Sequence, residues 1–119
     1  MRKYETGATR DNDNRKLHYL SYLSPLSLER YARYMKTHET QKDGSRRKPD
    51  NWKLGIPKTD YLQSAFRHFI QVWKRYELGE ETKETNYDHL AGVFFNIHGL
   101  MHEEEKERIA KGSREGVDK

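Results

Sequence analysis

Two stretches of this chain carry apolar side chains at intervals of three and four residues, and little else in it is periodic. Leu62, Ala65, Phe66, Phe69, Ile70 and Trp73 form one stripe; Leu90, Val93, Phe94, Ile97, Leu100 and Met101 form the other. An α-helix turns once in about 3.6 residues, so this spacing gathers side chains on one face. No segment alternates convincingly as a strand does. An all-α fold is therefore expected, with about three main helices and long polar loops.

The helix ends are also written in the chain. Ser24-Pro25 pairs an N-cap hydroxyl with a proline whose missing N–H costs nothing there. Leu28, Tyr31, Ala32 and Met35 follow it, which predicts a first helix over roughly 25–37. The second helix opens at Lys58 or Thr59 and runs to about Glu77, with Gly79 as its stop. Asp88 is a plausible N-cap for the third, whose polar continuation through 103–111 is expected to fray.

Between these lie polar segments. Residues 1–16 read as an arm without regular structure, its turns favoured by Gly7, Asn12, Asp13 and Asn14. Residues 17–23 read as a short extended segment or turn, and 39–49 as a loop. Residues 51–57 are a second non-periodic element, 80–87 a polar connection, and 112–119 a disordered tail. Residues 17–111 then make a single helical domain.

Composition adds one strain to this picture. Only 33% of residues are hydrophobic while 35% are charged, so the core must be thin, with 12% aromatics in partial compensation. A small domain covers its apolar surface incompletely when alone, and a homo-oligomer is expected. The net charge of +4 suits anionic ligands such as nucleotides or nucleic acid. There is no cysteine, which excludes disulfides and cysteine-based zinc sites. No apolar run approaches a membrane span or a signal core, so a cytoplasmic protein without a membrane partner is expected.

Polar, titratable groups sit beside the apolar stripes. Tyr61, Ser64 and His68 fall on one flank of the second helix, with Arg67 on the other. His89, Gly92, Asn96, Gly99 and Glu103 share a stripe on the third. Each interior glycine costs about 1 kcal/mol relative to alanine. Helix packing is the plainer explanation for Gly99, whereas Gly92, between His89 and Asn96, suggests a ligand against the backbone. Acidic candidates for a metal are Glu80, Glu81, Glu84, Asp88, Glu103 and Glu104; His98 and His102 form an i, i+4 pair without the glutamate of a zincin motif. Arg46-Arg47-Lys48 reads either as a solvated loop or as a weak nucleic-acid patch, and Trp52 either as a base-stacking residue or as a loop anchor. No Walker loop, glycine-rich dinucleotide fingerprint or nucleophile elbow is present.

Several blocks occur in a recognisable order: Gly7-Ala8-Thr9-Arg10-Asp11, Leu23-Ser24-Pro25-Leu26, Asp50 through Pro57, Ser64-Ala65-Phe66-Arg67-His68, Asp88-His89-Leu90-Ala91, and Phe95-Asn96 with Gly99 and His102-Glu103. Over roughly residues 6–104 the chain resembles the phage and prophage family of dATP/dGTP diphosphohydrolase N-terminal domains, which are MazZ-like and distantly MazG-like. The resemblance implies metal-dependent cleavage of a purine dNTP to dNMP and pyrophosphate, with Mg²⁺ or Mn²⁺ as cofactor, in a host cytoplasm. One departure stands out: the first helix offers only Glu29, followed by Arg30 and Arg33, where MazG proteins carry paired acids.

Combined with the residues, the resemblance implies a site between the second and third helices, closed by residues 51–57. Arg10, Lys53 and Arg67 are expected on phosphate, with Asn51, Trp52 and Asn96 on base or sugar. His68, Asp88 and His89 are expected to hold the metal and its water and to act in catalysis. The imidazole of His68 and the carboxamide of Asn96 should then line one cleft. The alternatives are a non-catalytic protein that sequesters a nucleotide and a small basic nucleic-acid-binding module.

Overall fold

Three long helices dominate the computed structural model, which describes residues 2–10, 15–79 and 88–112. A hairpin of β1 (Arg2–Lys3) and β2 (Thr9–Arg10) comes first, then the single turn α1 (Tyr19–Tyr22) and helices α2 (Pro25–Thr37), α3 (Lys58–Leu78) and α4 (His89–Ala110). The fold is all-α apart from that hairpin. Ser24 Oγ accepts from the Ser27 N–H at 3.2 Å and starts α2. Gly79, at φ 67°, ends α3 in the left-handed conformation. Asp88 accepts from the Ala91 N–H at 3.2 Å and starts α4.

α3 and α4 pack as an antiparallel pair. Lys58 meets Glu107, Tyr61 meets Gly99, and His68 meets Gly92, so the order along one helix reverses along the other. Both glycines are explained by this approach. A Cβ on Gly99 would collide with the Tyr61 ring, and one on Gly92 would lie 2.8 Å from His68 Nδ1. The reading of Gly92 as a place for a ligand is thereby corrected: a histidine ring fills that space. α2 lies across α4, with Tyr31 and Phe94 at a centroid distance of 4.7 Å. Arg30 grips the Asp88 carboxylate with two bonds of 2.7 Å.

The core is as thin as the composition implies. Among the described residues the buried apolar side chains are Tyr34, Tyr61, Ala65, Val72 and Ala91, and Asn96 is buried among them.

Four local readings change or become specific. The arm contains an antiparallel hairpin, Arg2 opposite Arg10 and Lys3 opposite Thr9, turning at Gly7 with φ 89°. Residues 19–22 close one helical turn, the second of the two alternatives for that segment. The polar end of α4 does not fray; it continues to Ala110. Lys58 Nζ holds Glu107 at 2.8 Å, and Lys106–Glu103 and Arg108–Glu105 pair along the helix. The loop after α2 folds back on itself through a Thr40–Arg46 bridge. Asn12, Asp13, Asn14, the 80–87 connection with its three glutamates, and residues 113–119 of the tail lie outside the described residues.

Tyr61 is 1% exposed, and its Oη has no hydrogen-bond partner among the described residues. Two substitutions at this contact should therefore act in opposite directions. Gly99→Ala, which gains about 1 kcal/mol in an open helix, is expected to cost about 2 kcal/mol here by overpacking the tyrosine. Tyr61→Phe removes an unsatisfied hydroxyl and is expected to leave stability unchanged or raise it by up to about 1 kcal/mol. Urea unfolding midpoints of the two variants check both signs.

Candidate functional site

The hairpin-like loop after α2 is what gives the protein a cleft. Glu39 O accepts from the Arg47 N–H at 2.7 Å and Ser45 O from the Gln41 N–H at 2.8 Å, while Gly44 turns the chain at φ 88°. Asp43 fixes the tip by accepting from both the backbone and the hydroxyl of Ser45. The returning strand brings Arg47, Lys48 and Pro49 over the helices, and residues 51–54 follow as a short 3₁₀ turn. Beneath lies a cavity of about 270 Å³. α2 and its end line it with Tyr34, Met35, His38 and Glu39; the loop adds Arg47, Lys48, Asn51, Trp52 and Ile56; α3 adds Ser64 and His68; α4 adds Phe95 and Asn96.

Charge is distributed unevenly around this cleft. Glu39 is paired with Arg46 at 3.3 Å, so the basic side chains Arg47 and Lys48 set the sign of that edge. The run 46–48 is thus divided: its first member neutralises an acid, and the other two line the cleft. Aromatic rings from Tyr34, Trp52 and Phe95 form walls nearby.

Three hydrogen bonds define what the polar wall offers. The Gly92 carbonyl can only accept, so the Asn96 amide at 2.8 Å must turn its Nδ2 toward it. Oδ1 is left as the acceptor on this cleft residue. His68 and His89 meet Nδ1 to Nδ1 at 3.0 Å, which requires one ring to donate and the other to accept. While that bond holds, the two rings together carry at most one positive charge. His38 Nδ1 lies 2.9 Å from the Tyr34 carbonyl, which can only accept, so Nδ1 carries the hydrogen.

A protein-held metal fits these residues poorly. Among the described residues no three His, Asp or Glu side chains are gathered to hold one. Asp88 is committed to Arg30 and to the start of α4, and both contacts hold its carboxyl below the ordinary carboxylate range. Glu29, the acid on α2, is paired with Arg33 at 2.6 Å. Magnesium and manganese favour several oxygen ligands in a near-octahedral shell.

Of the residues expected at the site, His68, Asn51, Trp52 and Asn96 line one cavity. His89 touches His68 behind the wall. Asp88 lines a neighbouring cavity of about 240 Å³ with Arg30 and Arg33, and Tyr34 and His38 are common to both spaces. Arg67 donates to Ser64 Oγ at 2.9 Å, one residue back from the cleft. Lys53 lies over the Trp52 ring at 5.7 Å, and Arg10 belongs to β2; neither lines the cleft. Tyr34, His38, Arg47 and Lys48 were not singled out as a set. Asp43-Gly44, a tight-turn dipeptide, was the signal that the loop folds back and aims its basic residues.

Trp52 is also an anchor. Its ring stands edge-on to His98 at 5.3 Å and His102 at 4.9 Å, which explains that histidine pair as packing for the 3₁₀ turn. Burial, then the neighbouring His102, holds the His98 imidazole below its ordinary value.

These features define a small helical domain with one groove edged by cations and walled by aromatics. A family model described as dATP/dGTP diphosphohydrolase, N-terminal, matches residues 4–112, and the chain belongs to that family. No curated protein and no solved structure matches it. No helix among the described residues is long and apolar enough to cross a membrane.

The His98 environment sets a pH response. Its lowered folded value means that the unfolded chain binds the proton first. Stability should be full above the ordinary histidine value of 6.5 and fall as pH drops through the folded value. Urea midpoints followed by Trp fluorescence from about pH 7.5 to about pH 5 should decline. His98→Leu should remove part of that slope.

Proposed function

We propose that the cleft binds a purine deoxynucleoside triphosphate, and that this chain carries out its family's reaction by releasing the monophosphate and pyrophosphate. One observation carries the reading: a single cavity joins Arg47 and Lys48 to Trp52, Phe95 and Asn96. Cations at one edge complement phosphate, and Arg47 supplies the planar fork that suits phosphate oxygens. Aromatic walls suit a base, and the Asn96 Oδ1 acceptor suits an N–H on its edge. In the reaction a water oxygen bonds to the α-phosphorus as the bond to the bridging oxygen breaks. Arg47 and Lys48 neutralise the charge on the departing pyrophosphate. His38 and His68, both on the wall, are the side chains available to move a proton.

Magnesium or manganese belongs to this proposal as the ion that accompanies the triphosphate, since the described acids do not form a cage for it. No step is assigned to it. That same arrangement of acids favours a second reading, in which the cleft binds and sequesters the nucleotide without turnover.

The test incubates the pure chain with each dNTP and Mg²⁺ or Mn²⁺, following monophosphate and pyrophosphate, beside calorimetry for binding. dATP or dGTP should bind and be cleaved in preference to pyrimidine dNTPs. Binding without product would establish the second reading, and absence of both would remove the nucleotide altogether. Arg47→Ala is expected to weaken binding about tenfold or more, in line with about 1.5–3 kcal/mol for a hydrogen bond to a charged group.

A further inference from the structure

Helix α3 has two seams, and only one of them is packed. Tyr61, Ala65, His68 and Val72 face α4, in steps of four, three and four. One residue on from each stand Leu62, Phe66, Phe69 and Trp73, and Tyr76 continues the series. Steps of four, three, four and three are the heptad pattern of a helix that packs along another helix. Yet these five side chains are 59%, 63%, 51%, 56% and 74% exposed. The seam lies about 100° round α3 from the packed one. Ser64, which lines the cleft, lies on the other flank.

We infer that this seam is the contact surface for a second copy of the same chain, with the two α3 helices antiparallel across a twofold axis at Phe69. The spacing is symmetric about that residue to within one position: Leu62 and Tyr76 stand seven residues to either side, Phe66 three before and Trp73 four after. Leu62 then faces Tyr76 of the partner subunit and Phe66 faces Trp73 of the partner subunit, so smaller side chains meet larger ones at even separation. A parallel pair would crowd the tryptophans and tyrosines at one end. On the edge of the seam, Gln63 comes beside Glu77 of the partner subunit and no like charges are opposed. The Trp73 indole N–H already donates to Glu77 at 2.9 Å, so burying the ring orphans no donor. The exposed area of the five side chains is on the order of 600–700 Å², close to the ~800 Å² each partner gives to a standard interface. Such patches are rarely left bare on monomers. The thin core is then completed between copies while both clefts stay open. This inference stands whether or not the cleft takes a nucleotide.

The absence of cysteine makes the test direct. Sedimentation of the full chain should give at least twice 14.3 kDa; a single-chain mass overturns the inference. Phe69→Lys should lower that mass to one chain with helix content retained by circular dichroism. A mass unchanged by this variant overturns the choice of face. Ile70→Cys, which leaves the aromatic seam intact, should form a disulfide-linked dimer on mild oxidation, because residue 70 lies beside the axis. Gln63→Cys should not, being twelve residues from its symmetry mate in helical register, or roughly 18 Å. Linking at both positions would mean parallel helices, and at neither no α3 contact; each overturns the arrangement.

Discussion

The close approach of α3 to α4 is the constraint on which the rest depends. With few aliphatic side chains available, the chain brings two helices together by removing Cβ atoms at Gly92 and Gly99. His68 and Tyr61 fill the space so made. Glycine lowers helix propensity, and here the loss is offset by burial of Tyr61 and by contact between the two histidines. The same approach places His68 and Asn96 on one wall. Packing and site are thus one feature at this point.

The second determinant is the segment between α2 and α3. It contributes little to the core, yet it supplies the basic edge of the cleft and, through Trp52, its attachment to α4. Arg46 is turned to Glu39 while Arg47 and Lys48 line the cavity, so three successive basic residues take different roles. A loop folded by its own backbone bonds holds those charges near the helices. Asp88, by contrast, is spent on architecture: with Arg30 it fastens α2 to the start of α4. Arg30 thus has a structural partner in this chain.

Much of the scaffold was legible before any coordinates. The caps Ser24, Asp88 and Gly79 and the apolar spacing set three helices, because these are local interactions between residues a few positions apart. Helical register placed His68 and Asn96 each on a flank of its own helix, and their meeting on one wall was expected only with the family resemblance added. Less legible were the hairpin at residues 2–10, the ordered end of α4 and the fold-back of residues 39–47. Each rests on a partner distant along the chain or on a turn whose signal is two residues long. The Lys58–Glu107 pair spans 49 positions and has no local signature.

The residue order by itself therefore determined the helices, their caps at Ser24, Gly79 and Asp88, the thin core and the family, since period, capping chemistry and ordered motif blocks are properties of neighbouring residues. Only the tertiary structure decided that Gly92 receives a histidine, that Asp88 binds Arg30, and that Arg47 and Lys48 join Trp52 and Asn96 around one cavity. Those outcomes depend on which helix faces meet and how closely. Contacts between distant segments are set by shape and by competition among partners, and a linear pattern records neither.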